Sequence, residues 1–195
     1  MGGCNWHISQ NTCYCGVSDV SDRLSLREII ELFGMEGNIN YRQALTKAMA
    51  MCSKSERCRF DVVAKLRLWE LSDGEISRAI DYLIKERFLD EERFVEFYIN
   101  DKLRFNQWGK VKLSYMLRQK QIPEEMIRSA LKKIDDTLYE KILLTLLKVK
   151  AKSVRGASVY ERKGKLAAFA LSHGFESELV FKVAGKIIGD EDNEK

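Results

Sequence analysis

An internal repeat constrains this chain more than any other feature. Laid on itself at an offset of 51 residues, Leu66 meets Leu117, Leu71 meets Ile122, and Ile76, Ala79, Ile80 and Leu83 meet Ile127, Ala130, Leu131 and Ile134. A third copy follows at an offset of 53, where Phe175, Val180, Val183, Ala184 and Ile187 take the places of Ile122, Ile127, Ala130, Leu131 and Ile134. A period near fifty residues signals a supersecondary unit copied in tandem. Within each copy the apolar residues recur at i, i+3, i+4, the helical interval, rather than alternating as in half-buried strands. Pro123 is the single proline, so long runs stay unbroken. The reading is an all-α chain of three tandem three-helix, helix-turn-helix-like repeats. One such unit buries little alone, so neighbouring copies should stack into an elongated array, free to curve, with long exposed faces.

The boundaries expected on this basis are residues 41–89 for the first repeat, 90–137 for the second, 138–188 for the third and an acidic tail over 189–195. Turn chemistry supports the frame. Ser72-Asp73-Gly74-Glu75 has capping-box form, Asp90 suits the cap of the helix carrying Phe94, and Ser55 that of the helix carrying Val62. Pro123 suits a first helical position with Glu124 and Glu125 behind it, and Glu176-Ser177-Glu178 puts acid at a helix start. Residues 1–40 read as an irregular extension with one short helix, about 25–33, opened by Ser25-Leu26-Arg27-Glu28. Met35 could itself start a chain. Cys4, His7, Cys13 and Cys15 could surround a metal ion, but Cys13-x-Cys15 is tighter than the usual spacer, so disorder is the simpler reading and no metal is expected.

A composition 45% hydrophobic and 32% charged allows a sizeable core and excludes disorder of the whole chain. No apolar run is long enough for a membrane span, no secretory signal opens the chain, and five cysteines fit a reducing compartment. The cytoplasm is therefore the expected location, and no membrane contact is expected. No phosphate-binding loop, nucleophile elbow or zinc-protease pair is present, and His173-Gly174 reads as a helix ending. Neither an enzyme nor a cofactor is expected.

Charge is unevenly spread. From Arg93 to Ile122 seven basic residues face only Glu96 and Asp101, and from Lys141 to Lys165 eight face only Glu161. Such excesses fit a polyanion or an acidic protein surface, whereas isolated basic residues such as Arg78 and Lys85 read as solvated surface. Among the aromatic residues, Trp69, Phe94, Phe97, Tyr98 and Phe105 fall on apolar stripes and are expected in the core. Trp108 stands apart: beside Gly109 and followed by Lys110 and Lys112, it could either close the corner between two helices or touch a partner.

These residues resemble the RecX family of regulators of the RecA recombinase. The resemblance rests on the threefold repeat and on Ser55-Glu56 opening a helix that reaches Lys65-Leu66, on Leu89-Asp90-Glu91-Glu92-Arg93-Phe94, on Trp108-Gly109-Lys110 and on Leu117 through Ile122. It spans about Tyr41 to Ile188 and is most specific in the middle repeat; where the family commonly has glycine before the large apolar residue of that repeat, this chain has Gln121. The resemblance implies a non-enzymatic cytoplasmic protein that binds the RecA filament on single-stranded DNA, with duplex DNA a further contact, and damps recombinase, ATPase and coprotease activities and the SOS damage response; a monomer is expected, though the sequence leaves the oligomeric state open. Together with the charge pattern it assigns Arg57, Lys65, Lys102, Arg104, Lys110, Lys112 and Arg118 to the filament-facing surface, with Trp108 at its edge. The competing expectation is a sequence-independent DNA-binding helical module that acts without RecA.

Overall fold

The computed structural model describes residues 39–193, except residue 157. The expected helix at 25–33, the Cys4, His7, Cys13 and Cys15 group and the side chains of the acidic tail lie outside the described residues. Nine α-helices and no strand are found among the residues described: α1 Ile39–Lys54, α2 Arg59–Leu68, α3 Asp73–Lys85, α4 Glu91–Phe105, α5 Lys110–Gln119, α6 Glu124–Lys132, α7 Asp136–Ala151, α8 Val159–Ser172 and α9 Ser177–Asn193. The helices pack in threes, α1 to α3, α4 to α6 and α7 to α9. This is the all-α repeat arrangement that the apolar period demands.

Local chemistry explains most of the helix starts. Ser72 accepts from the Glu75 backbone N–H while the Glu75 carboxylate accepts from the Ser72 N–H at 2.9 Å, a reciprocal capping box. The Ser72 hydroxyl, which donates to Glu75 Oε2 at 2.7 Å, and the Ser72 N–H together hold the Glu75 carboxyl below its ordinary range. Asp90 caps α4 through the Arg93 N–H at 3.0 Å, and Pro123 stands immediately before α6. Ser55 caps nothing. Helix α2 begins at Arg59 with Cys58 before it, and the Arg59 N–H donates instead to Glu91 Oε1 of the following repeat at 3.3 Å.

The repeat equivalences reappear as burial. Leu66 and Leu117 are fully buried, Ile76 and Ile127 are both buried, as are Ala79 and Ala130, and Phe175, Val180, Val183 and Ala184 form the corresponding core of the third repeat; Leu131 and Ile134 are half-buried where Ile80 and Leu83 are buried. Each of the larger aliphatic side chains contributes about 1.5–3 kcal/mol by leaving water. The residue before Leu71, Ile122 and Phe175 adopts a left-handed backbone in every copy, with φ of 60° at Glu70, 58° at Gln121 and 83° at Gly174. Gln121 therefore keeps the turn geometry that glycine would supply, at a steric cost of about 1–2 kcal/mol.

Successive repeats are interlocked. Cys58, ahead of α2, is buried in the core cluster of the second repeat with Phe94, Leu117 and Ile122, and Leu103 of α4 is buried in that of the third. Burial raises the Cys58 thiol to about 11, which makes it an inert packing group. Gly109 holds the place equivalent to Cys58, 51 residues on. A Cβ at Gly109 would lie 2.2 Å from Gly174 O, and one at Gly174 would lie 2.3 Å from Lys112 Cβ, so two backbones meet where no side chain fits. The Gly109 N–H donates to His173 O at 2.9 Å and the Val111 N–H to Gly174 O at 3.0 Å. The Lys110 N–H donates to Tyr139 Oη at 2.8 Å, and that hydroxyl donates to Glu176 Oε2 at 2.6 Å. Helix α5 lacks a side-chain cap of its own and is capped by the next repeat. The last repeat caps α8 locally, through Ser158 and the Glu161 N–H at 3.1 Å.

Candidate interaction surface

Folding brings acids from elsewhere onto the basic stretch between Arg93 and Ile122. Arg93 pairs with Glu56 at 2.6 Å, Lys110 with Asp136 at 3.1 Å, Arg118 with Glu124 at 2.8 Å and Lys120 with Asp61 at 2.7 Å. Lys102 pairs with its neighbour Asp101 at 2.9 Å. Arg104 and Lys112 are left without a carboxylate partner among the described residues. The linear excess is thus largely compensated in three dimensions, and only a pairing map could have revealed it.

The eight residues assigned from sequence fall into separate groups. Lys110, Lys112 and Trp108 gather at the corner where α4 turns into α5. Lys112 Nζ stands 4.6 Å from the Trp108 ring centroid and Lys110 Nζ 4.7 Å from that of Tyr139. Trp108 is half-buried and packs on the core of the second repeat, so it closes the corner. Lys102 is half-buried beside Tyr98, at 5.8 Å from its ring, whereas Arg104 is exposed on the outer side of α4. Arg118 lies toward the other end of α5, about 12 Å along the axis from Lys110. Its two hydrogen bonds to Glu124 raise the guanidinium and lower the carboxyl relative to their ordinary values. Lys65 is exposed on α2, and Arg57, in the loop before that helix, is half-buried with its Nε unpartnered.

Two of the aromatic residues expected in the core are outside it: Phe97 is 54% exposed and Phe105 82%. The buried stripe of α4 is Phe94, Val95, Ile99 and Leu103, which leaves Phe97, Arg104 and Phe105 at i, i+7 and i+8 on the outside. Val111 and Tyr115 are likewise exposed along α5. The helical period alone does not separate two apolar faces of one helix, which is why Phe97 and Phe105 read as core.

The second basic stretch stays largely uncompensated. Lys165 pairs with Glu161 at 2.7 Å and Lys150 lies 4.8 Å from the Phe169 ring. Lys148, Lys152 and Arg155 are exposed without an acid partner among the described residues, next to the exposed Val149. Cations and apolar atoms thus share the surface at the end of α7. Among the described residues no cluster of histidine, cysteine and carboxylate side chains has metal-binding geometry, and no helix is long and apolar enough to cross a membrane.

These features define a tandem three-helix repeat protein with mixed basic and apolar outer surfaces. Residues 90–131 match the family model described as RecX, second three-helix domain. The chain is 30% identical over 151 residues to the regulatory protein RecX of Clostridium tetani, covering 76% of this chain and 69% of that one. It is 28% identical over 186 residues to the RecX of Clostridium botulinum strain Eklund 17B, covering 94% and 85%. The crystal structure of RecX from Lactobacillus salivarius superposes with a TM-score of 0.68 at 21% identity, over 75% of this chain and 96% of that one, a likeness of fold. The chain belongs to the RecX family, whose curated members are regulatory proteins by name.

Proposed function

We propose that this protein binds the RecA filament on single-stranded DNA and damps its recombinase, ATPase and coprotease activities, as a non-enzymatic cytoplasmic monomer acting in DNA repair and the SOS response. Membership of the RecX family is the observation that carries this reading. The surface chemistry supports a protein partner beside nucleic acid: Phe97, Phe105, Val111 and Tyr115 are apolar groups that a phosphate backbone alone would not require. The third helices of the first two repeats open with acids, Asp73 and Glu75 in α3 and Glu124 and Glu125 in α6, which disfavours phosphate at those ends. Contact with phosphates falls instead to Arg104, Lys148, Lys152 and Arg155. Lys110 and Lys112 hold the joint between the second and third repeats, so their reversal would disturb folding and binding together. By bridging neighbouring recombinase subunits, the repeats hold them in a state that hydrolyses ATP poorly and excludes duplex DNA.

The test replaces exposed groups only. Two double variants, Arg104→Glu with Phe105→Ala and Lys148→Glu with Lys152→Glu, are compared with wild type for binding to RecA filaments across a salt series. Weakened filament binding with unchanged helicity supports the reading. Unchanged binding by both variants contradicts this assignment of the surface.

A further inference from the structure

The two joints inside this chain are built on the same places of the repeat, and the two ends of the array carry the halves of that joint that are left over. The inserting half is the start of a second helix, where Cys58, Gly109 and Ser158 stand immediately before α2, α5 and α8. Cys58 and Gly109 are buried, since each docks on the repeat that follows. Ser158 is exposed, and so are Val159 at 47% and Tyr160 at 87%.

The receiving half is the turn before a third helix. In the third repeat the His173 carbonyl accepts from the Gly109 N–H at 2.9 Å and the Gly174 carbonyl from the Val111 N–H at 3.0 Å. Trp69-Glu70 holds that place in the first repeat, which no other repeat precedes among the described residues. There the Trp69 carbonyl takes the Asn40 side-chain amide at 3.3 Å, Leu68 is 72% exposed, and a cavity of about 210 Å³ opens between Asn40, Ala44, Lys47, Leu68, Trp69 and Glu70. Terminal repeats of stacked arrays ordinarily turn a polar face outward, whereas Val159, Tyr160 and Leu68 are apolar. The leftover halves also agree in size. The first joint has Cys58 at the helix start and Gln121 at the turn, and the free ends carry their near isosteres Ser158 and Glu70.

We propose that this chain associates with further copies of itself head to tail, the α7–α8 corner of one copy seating on the Trp69-Glu70 turn of the next and continuing the joint that links its own repeats. The contact is heterologous, so each added copy presents a fresh free end. One such joint is small and belongs to the weak class of interfaces, so dilute protein stays monomeric. Copies lying end to end on a longer partner would meet through it. The inference stands on the internal joints and does not rest on the filament reading.

The test is the mean mass of the protein by sedimentation, with reductant present, from about 1 µM to about 1 mM, the span over which a weak contact fills. Wild type should rise to at least about twice the mass of one chain and show no plateau at two. Ser158→Asp keeps a capping side chain for α8 while setting a charge opposite Glu70, and Leu68→Glu puts a charge on the wall of the cavity at an exposed position. Each variant alone should stay at one chain, with circular dichroism unchanged. Each still carries one intact half, so an equimolar mixture should rise toward two chains and stop there. Wild type that stays at one chain to about 1 mM overturns the proposal and leaves the corner to phosphate. A wild-type plateau at two chains overturns it in favour of a symmetric dimer. Variants that associate as wild type does, or a mixture no heavier than its components, overturn it as well. None of these outcomes depends on RecA.

Discussion

Replacing Tyr139 by phenylalanine removes one oxygen atom and tests how the second and third repeats are joined. The hydroxyl accepts from the Lys110 N–H at 2.8 Å and donates to Glu176 at 2.6 Å, and Tyr139 is only 2% exposed. Without the oxygen the Lys110 amide, in the first turn of a helix with no cap of its own, has no partner. A buried unsatisfied amide costs about 1–3 kcal/mol, and the bond to a charged group adds a comparable amount where water cannot replace it. Glu176 is half-buried and can recruit water, so most of the loss falls on the amide, and the expected total is about 2–3 kcal/mol. With a slope of about 2 kcal/mol/M in urea, the unfolding midpoint should fall by about 1–1.5 M at unchanged slope. Amide exchange at Lys110 and Val111 should quicken first, because those groups are capped across the joint. Tyr115→Phe, at an exposed tyrosine of α5, serves as the control and should leave the midpoint in place. A Tyr139→Phe midpoint within about 0.2 M of wild type would refute the idea that the third repeat caps α5.

Three further outcomes follow from the same geometry. Gly109→Ala forces a methyl against the Gly174–Phe175 backbone and should destabilise by about 3 kcal/mol, while Gly74→Ala, whose added Cβ meets nothing, should not; thermal unfolding reads both. Gln121→Gly relieves the left-handed strain at φ 58° but loosens the unfolded chain, for a net gain of about 0.5 kcal/mol, whereas Gln121→Val should lose more than about 1 kcal/mol. The Glu75 carboxyl is lowered in the folded state, so its contribution is present above its unfolded value of about 4.3 and is lost as pH falls below that value. Ser72→Ala should therefore lower the unfolding midpoint at neutral pH, with the gap to wild type narrowing as the carboxyl protonates, and a gap independent of pH would contradict the capping box.

The repeat was legible because burial repeats with it: Leu66 and Leu117, or Ile76 and Ile127, match in the sequence alone, and the capping residues Ser72 and Asp90 mark helix starts by local chemistry. Cys58 and Gly109 were less visible. Their small size answers to contacts in the following repeat, and no local rule connects Gly109 to Gly174. The charge pattern misled for the same reason. A window over Arg93 to Ile122 counts its own acids, but Glu56, Asp61, Glu124 and Asp136 come from outside it.

The most direct test of the account is RecA-dependent ATP hydrolysis on single-stranded DNA, using the recombinase of the same organism and this protein below recombinase stoichiometry. Suppression at that ratio, with weaker binding to bare DNA than to the filament, is the result the account predicts. Unchanged hydrolysis together with tight, steeply salt-dependent binding to bare DNA would contradict it and leave a DNA-binding repeat protein in its place.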